Sequence, residues 1–128
     1  MKRQIVLSWS SIIPYAEGNA DKIPESSGVY ELLVKQANGK YLRRYVGKAD
    51  KSLRQRFLDH LSDAEENECI KTRLQKNVCG FDYARLSSED DIADAEQALY
   101  DKYSGETTCN QVRPEGSGRG DNIELVEQ

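Results

Sequence analysis

The dipeptide Asn38-Gly39 lies between two runs that mix aromatic, β-branched and aliphatic residues, GVYELLVK before it and KYLRRYVG after it. No other feature constrains the fold of this chain as tightly. Both residues tolerate positive φ, so the pair is the strongest short-range signal for a two-stranded hairpin. Residues 28–35 are expected to form one strand and the run starting at Lys40 the returning one. With the turn centred between Asn38 and Gly39, Leu32 stands opposite Tyr45 and Tyr30 opposite Gly47. Tyr30 and Tyr45 then share a face as diagonal neighbours, about 7–8 Å apart at the backbone. Gly47 leaves space beside Tyr30. Tyr41, Arg43 and Tyr45 fall on one face of the returning strand, and Leu42, Arg44 and Val46 on the other. A bulge would break this register.

Beyond the hairpin, SLRQRFLDHLSD carries Leu53, Phe57 and Leu61 at four-residue intervals, with Leu58 widening the stripe. Ser52 is a good N-cap, so a helix is predicted over about residues 52–62. On it Arg56 and His60, the only histidine, lie one turn apart, with His60 bordering the apolar stripe. EENECIKTRLQKN reads as a shorter, weaker helix and CGFDYARLS as a third strand. SSEDDIADAEQALYDKYSG is the clearest helix. Ser88 and Asp91 make a capping-box pattern, acids crowd the first turn, and Gly105 follows the end. Ile92, Ala95, Leu99 and Tyr103 form its apolar stripe. Helical geometry puts Glu96 inside that stripe, while the other acids of the helix are expected to face outward. A carboxylate turned inward needs an ion-pair partner, such as Arg56, or a bound cation.

The final stretch, QVRPEGSGRGDNIELVEQ, is rich in Gly, Pro and charge and is expected to be a loop or tail. NIELV within it is suited to docking as an edge strand. The RGD at residues 119–121 is a common chance tripeptide, and there are no internal repeats.

At 128 residues the chain suits one domain with a modest core. No apolar run approaches the roughly 20 residues that span a bilayer, which argues against a membrane role. The first residues lack the continuous apolar region of a secretion signal, so a cytoplasmic location is expected. Cys69, Cys79 and Cys109 are widely spaced with no CxxC pair, which excludes the usual zinc sets and suggests free thiols. The formal net charge is −4, but it is unevenly spread. Residues 35–56 hold eight basic side chains against Asp50 alone, a local excess of seven positive charges on an acidic body. Such a stripe can hold phosphates despite the overall sign, because fields fade over about 8 Å at physiological salt.

In order, GVY at 28–30, YVGKA at 45–49, Arg56 followed by His60, AEQALYDKY around Glu96, and Asn110 resemble the GIY-YIG endonuclease domain. The resemblance covers residues 24–110. It implies an α/β (α+β) fold, a small three-stranded antiparallel sheet flanked by helices in the order ββααβα. On this reading residues 1–110 form the nuclease-like domain with an N-terminal extension, and residues 111–128 a C-terminal loop or tail. Two departures stand out. Fourteen residues separate Tyr30 from Tyr45, somewhat more than usual, and one extra residue precedes Arg56, which makes Arg54 its rival. Arg56 is preferred because its step to His60 fits the family's interval.

The implied activity is hydrolysis of phosphodiester bonds, in DNA, with one divalent cation, Mg²⁺ or Mn²⁺. Glu96 would be the metal ligand, Tyr45 the general base with its phenol pKa lowered by the cation and basic neighbours, and Arg56 the clamp on the scissile phosphate. Tyr30, Lys48 and His60 would position or polarise water and phosphate, with Gly47 and Asn110 in support. Lys40, Arg43, Arg44, Lys51 and Arg54 would track the nucleic-acid backbone. No separate recognition domain is evident, so a homodimer or a partner protein would supply specificity. The alternative is a catalytically silent nucleic-acid-binding or protein-interaction domain of the same fold.

Overall fold

The structure, a computed structural model, describes residues 2–128. The hairpin strands are β3 (Gly28–Lys35) and β4 (Tyr41–Ala49). They are preceded by β1 (Lys2–Leu7), β2 (Ile13–Pro14) and a 3-10 helix (Glu17–Lys22). There follow α1 (Leu53–Leu61), α2 (Glu68–Lys76), β5 (Cys79–Arg85), α3 (Glu89–Lys102) and β6 (Asn122–Glu127). From β3 to α3 the order is the expected ββααβα. The main sheet is antiparallel in the order β2-β5-β3-β4, four strands rather than three, because two residues of β2 add to β5. It is a mixed α/β architecture.

The hairpin reaches the expected register by an unexpected route. Its loop has three residues, 37–39, closed by Gln36 N–H to the Lys40 carbonyl at 2.8 Å. Only Gly39 takes positive φ, at 85°, while Asn38 uses its side chain to accept the Lys40 N–H. This turn shifts the pairing by one residue relative to a turn centred on Asn38-Gly39. A bulge at Arg44 shifts it back, so Leu32 still faces Tyr45 and Tyr30 still faces Gly47. The bulge also reverses the alternation. Arg43, opposite Leu33, lies on the face opposite to Tyr45 rather than sharing it.

The two faces of the sheet are covered differently. Tyr30, Phe81 and Ala49 pack with Leu53 and Phe57 of α1, and Leu32 and Val34 with Ile70 of α2. Leu53 and Phe57 are at the spacing the sequence predicts for a buried stripe, and Ser52 caps the helix through the Gln55 N–H. On the other face Val29, Val46 and Ala84 meet Ile92, Ala95 and Leu99 of α3, together with Ile5 and Leu7 of β1.

The C-terminal residues are not a loose tail. β6 pairs in parallel with β1 in a second, two-stranded sheet, with Ile5 beside Leu125. The connecting loop is tied down by Ser117 on Asp94 and by Arg113 on Asp101. Asp94 is thus a second departure, since it faces inward and binds Arg3, which also reaches Asp121. A third is covalent. Cys69 at the start of α2 is joined to Cys109 after α3, and only Cys79 is free. Forty positions of sequence separation conceal a Cα–Cα distance of 5.2 Å. Among the described residues no helix is long and apolar enough to cross a membrane.

Candidate active site

β4 is the outer strand of the sheet, and its exposed edge is where α3, the loop before α2 and the segment after α3 converge. An edge strand carries backbone groups with no strand to pair with. Here the Asn110 side chain serves them, accepting the Val46 N–H at 3.0 Å and donating to the Val46 carbonyl at 2.9 Å. Cys109 N–H adds a bond to the Arg44 carbonyl. Asn110 therefore holds the strand rigid between Tyr45 and Gly47. A cleft of about 180 Å³ opens beside it, lined among others by Tyr45, Asn67, Glu96 and Asn110.

Glu96 comes from the edge of the α3 stripe and is half-buried. Burial pushes its carboxyl up to about 7, partly offset by Lys48 and reinforced by Asp50. Among the described residues it forms no ion pair. Its candidate partners are engaged elsewhere, Lys48 with Asp50 at 3.2 Å and Arg56 with Asp59 at 3.4 Å. Such a carboxylate has unmet demand for positive charge.

Behind Tyr45 lies a buried polar cluster. Tyr30 is fully buried and its ring stacks on Phe81, with centroids 5.1 Å apart. Its hydroxyl is 2.7 Å from His60 Nε2 and accepts a longer, 3.4 Å hydrogen bond from Arg56. The step from Arg56 to His60 along α1 thus brings both to one phenolic oxygen. Gly47 is required by the close approach of Tyr30. A Cβ at Gly47 would lie 2.5 Å from both Cζ and the hydroxyl oxygen of that ring.

The phenols are not activated by this environment alone. Burial raises Tyr30 far above the phenolic range. Burial also raises Tyr45, with Arg56 opposing it and Glu96 and Glu65 adding to it. The protein groups by themselves therefore do not produce the lowered Tyr45 pKa expected from a cation and basic neighbours together. His60 is shifted down, mainly by burial, which keeps the imidazole neutral near pH 7.

Tyr45, Glu96 and Asn110 border the cleft, with Tyr30, His60 and Arg56 in contact behind it. Lys48 sits alongside, held by Asp50. Arg54 points elsewhere, bonded to the Ile23 carbonyl and to Glu25. The basic stripe is reduced by pairing. The bulge turns Arg43 onto Glu31 and over the Tyr103 ring, 3.8 Å from its centroid. Lys40 and Lys51 are exposed, and half-exposed Arg44 bonds the Glu106 carbonyl. Two residues that the sequence reading passes over also belong here. Asn67 lines the cleft and caps α2 through the Ile70 N–H, and the capping is a role its position at the start of the predicted helix could have signalled. Glu65 binds His60, and nothing in its sequence context announces it.

Comparison of the chain with protein-family models, with curated proteins and with solved structures finds no match.

Proposed function

We propose that this chain is a divalent-metal-dependent endonuclease of the GIY-YIG type that hydrolyses phosphodiester bonds in DNA. The observation that carries the reading is Glu96, a half-buried carboxylate without an ion-pair partner among the described residues, placed in one cleft with Tyr45 and Asn110. A silent binding domain would leave that carboxylate unexplained.

The donor set suits the ion. Among the described residues no group of three or more His, Cys, Asp and Glu side chains could form a cage of protein ligands. Mg²⁺ and Mn²⁺ sites on phosphate-processing enzymes commonly use one or two carboxylates, with water and phosphate oxygens completing the shell. Glu96 would hold such an ion, which would neutralise charge on the phosphate and on the departing oxygen. The protein groups do the rest. Tyr45, at the cleft wall, would take the proton of the attacking water as a phenolate, after losing its own proton to solvent. Burial, which raises Tyr45, opposes that ionisation, and a cation held by Glu96 would favour it. Asn110 keeps its strand in place. Arg56, part-exposed beside Tyr30, offers its planar fork to a phosphate. Lys40, Arg44 and Lys51 supply attraction along the backbone.

The test is cleavage of single-stranded, duplex and branched DNA by the purified protein, with Mg²⁺, Mn²⁺ or EDTA. Cleavage should require the cation, and Glu96→Gln should abolish it while substrate binding and the folded state persist. A Glu96→Gln variant that cleaves at the wild-type rate would remove the metal-ligand role. Absence of cleavage on every substrate with either cation would favour the silent domain.

A further inference from the structure

The strongest unassigned feature is the carboxylate on the far side of His60. Glu65, in the loop between α1 and α2, places Oε2 2.8 Å from His60 Nδ1, and its other oxygen accepts the Asn67 N–H at 3.0 Å. Glu65 is itself largely covered, with 12% of its side chain exposed, and the imidazole is buried to within 2%. An ionised carboxylate only accepts hydrogen bonds, so the imidazole nitrogen facing it must carry a hydrogen. In a neutral ring the opposite nitrogen is then bare. That nitrogen, Nε2, lies 2.7 Å from the Tyr30 hydroxyl, which must be the donor.

We propose that Glu65 is a positioning residue of the active site, fixing His60 in the Nδ1–H tautomer so that Tyr30 donates to Nε2 and turns its oxygen lone pairs toward Arg56 and Tyr45. The assignment of a catalytic consequence rests on the nuclease reading above. The direction of this chain matters. If Nε2 carried a hydrogen, it would donate to the Tyr30 oxygen, and the phenolic hydrogen would turn away from His60, toward Arg56, itself a donor, or toward the Tyr45 hydroxyl. Either way His60 takes one lone pair of that oxygen, and the Arg56 contact, already 3.4 Å, would weaken. Protonation of His60 has the same effect, because an imidazolium donates from both nitrogens. The charged and titratable groups around the ring are Tyr30 from β3, Tyr45 from β4, Arg56 and Asp59 from α1, and Glu65 from the loop. Lys71 of α2 and Asp63 of the loop border the hollow outside it. Among the described residues only Glu65 offers an acceptor to Nδ1.

His60 is the only histidine in the chain, so its two ring nitrogens can be read directly by long-range ¹H–¹⁵N NMR on uniformly labelled protein. The expected wild-type pattern at neutral pH is a protonated Nδ1 and a bare Nε2. Glu65→Ala should move the ring toward the Nε2–H form and lower the single-turnover cleavage rate on the order of 10²-fold, leaving KM nearly unchanged. The acid limb of the rate profile should coincide with the His60 titration followed by NMR. Glu66→Ala, an exposed neighbour in the same loop, should change neither readout. A wild-type spectrum with Nε2 protonated would overturn the proposal, as would a Glu65→Ala variant with the wild-type tautomer and rate. The expected tautomer in a protein that cleaves nothing would support the hydrogen-bond assignment and overturn its catalytic use. A Glu65→Ala variant that fails to fold is replaced by Glu65→Gln. His60 and the Asn67 N–H are bonded to different oxygens of Glu65, and glutamine puts an NH₂ donor in place of one of them, so one of the two contacts must break or shift. An unchanged spectrum and rate with the Asn67 amide unshifted would again overturn the proposal.

Discussion

Replacing Gly47 with alanine tests whether the buried tyrosine and the strand edge are locked together as the geometry requires. The added Cβ would sit 2.5 Å from Tyr30 Cζ, 2.5 Å from its hydroxyl oxygen and 2.9 Å from Cε2, distances no real Cβ sustains. Tyr30 cannot yield easily, since it is stacked on Phe81 and bonded to His60. β4 cannot yield freely either, because Asn110 grips Val46 on both backbone groups. Overpacking of this kind costs about 1–3 kcal/mol. For a chain of this size that lowers the thermal midpoint by roughly 3–15 °C. Calorimetry or thermal circular dichroism measures it. Truncating the obstructing ring should relieve the clash, so Gly47→Ala combined with Tyr30→Leu should be less destabilising than the two single losses added, by about 1 kcal/mol or more. An unchanged midpoint for Gly47→Ala, or strict additivity in the double variant, would refute the packing argument.

The buried pair Glu31–Asp82 gives a pH prediction. Burial and the neighbouring Glu31 raise Asp82 to about 9, and its Oδ1 has no hydrogen-bond partner. The folded state thus holds a proton that the unfolded chain releases above about pH 4, so stability falls as pH rises from there toward 9. Asp82→Asn should therefore raise the thermal midpoint most at pH 8–9, with the gain shrinking toward pH 5; a gain that grows on acidification would reverse the assignment. Arg56→Ala should lower the single-turnover rate by about 10²–10³-fold, whereas Arg54→Ala, which frees only the Ile23 and Glu25 contacts, should lose stability with little change in rate. The opposite ranking would mean that the arginine is misassigned by two positions. Arg43→Ala should destabilise the fold by about 3 kcal/mol or more by stranding buried Glu31, yet leave the salt dependence of DNA binding unchanged. Arg44→Ala should reduce that slope by about 0.9 if it meets a phosphate on duplex DNA; a reduced slope for Arg43→Ala would place that residue at the interface after all.

Local chemistry carried much of this structure in the sequence. Four-residue spacing put Leu53 and Phe57 on the buried face of α1, and Ser52 and Ser88 marked helix starts. The same periodicity aimed Glu96 at the interior and stacked Arg56 with His60, because both readings need only the pitch of a helix. The hairpin was legible from the two strand-like runs and the turn residues between them, and Tyr30 met Gly47 as the pattern implied, though by a different turn and a bulge. What the sequence could not carry depends on elements distant along the chain. A three-residue turn and a bulge compensate one another in register but not in sidedness, so Arg43 left the basic stripe for Glu31. Asp94 turned inward because Arg3, from the opposite end of the chain, supplies its counter-charge. The same long-range assembly joined Cys69 to Cys109 and paired β6 with β1. Glu65 became part of the His60 cluster only because the loop after α1 folds back on it, since an acid five residues from a histidine has no fixed relation to it once the helix has ended. Helical and strand periods fix which way a side chain points from its own element; only packing decides what waits for it there.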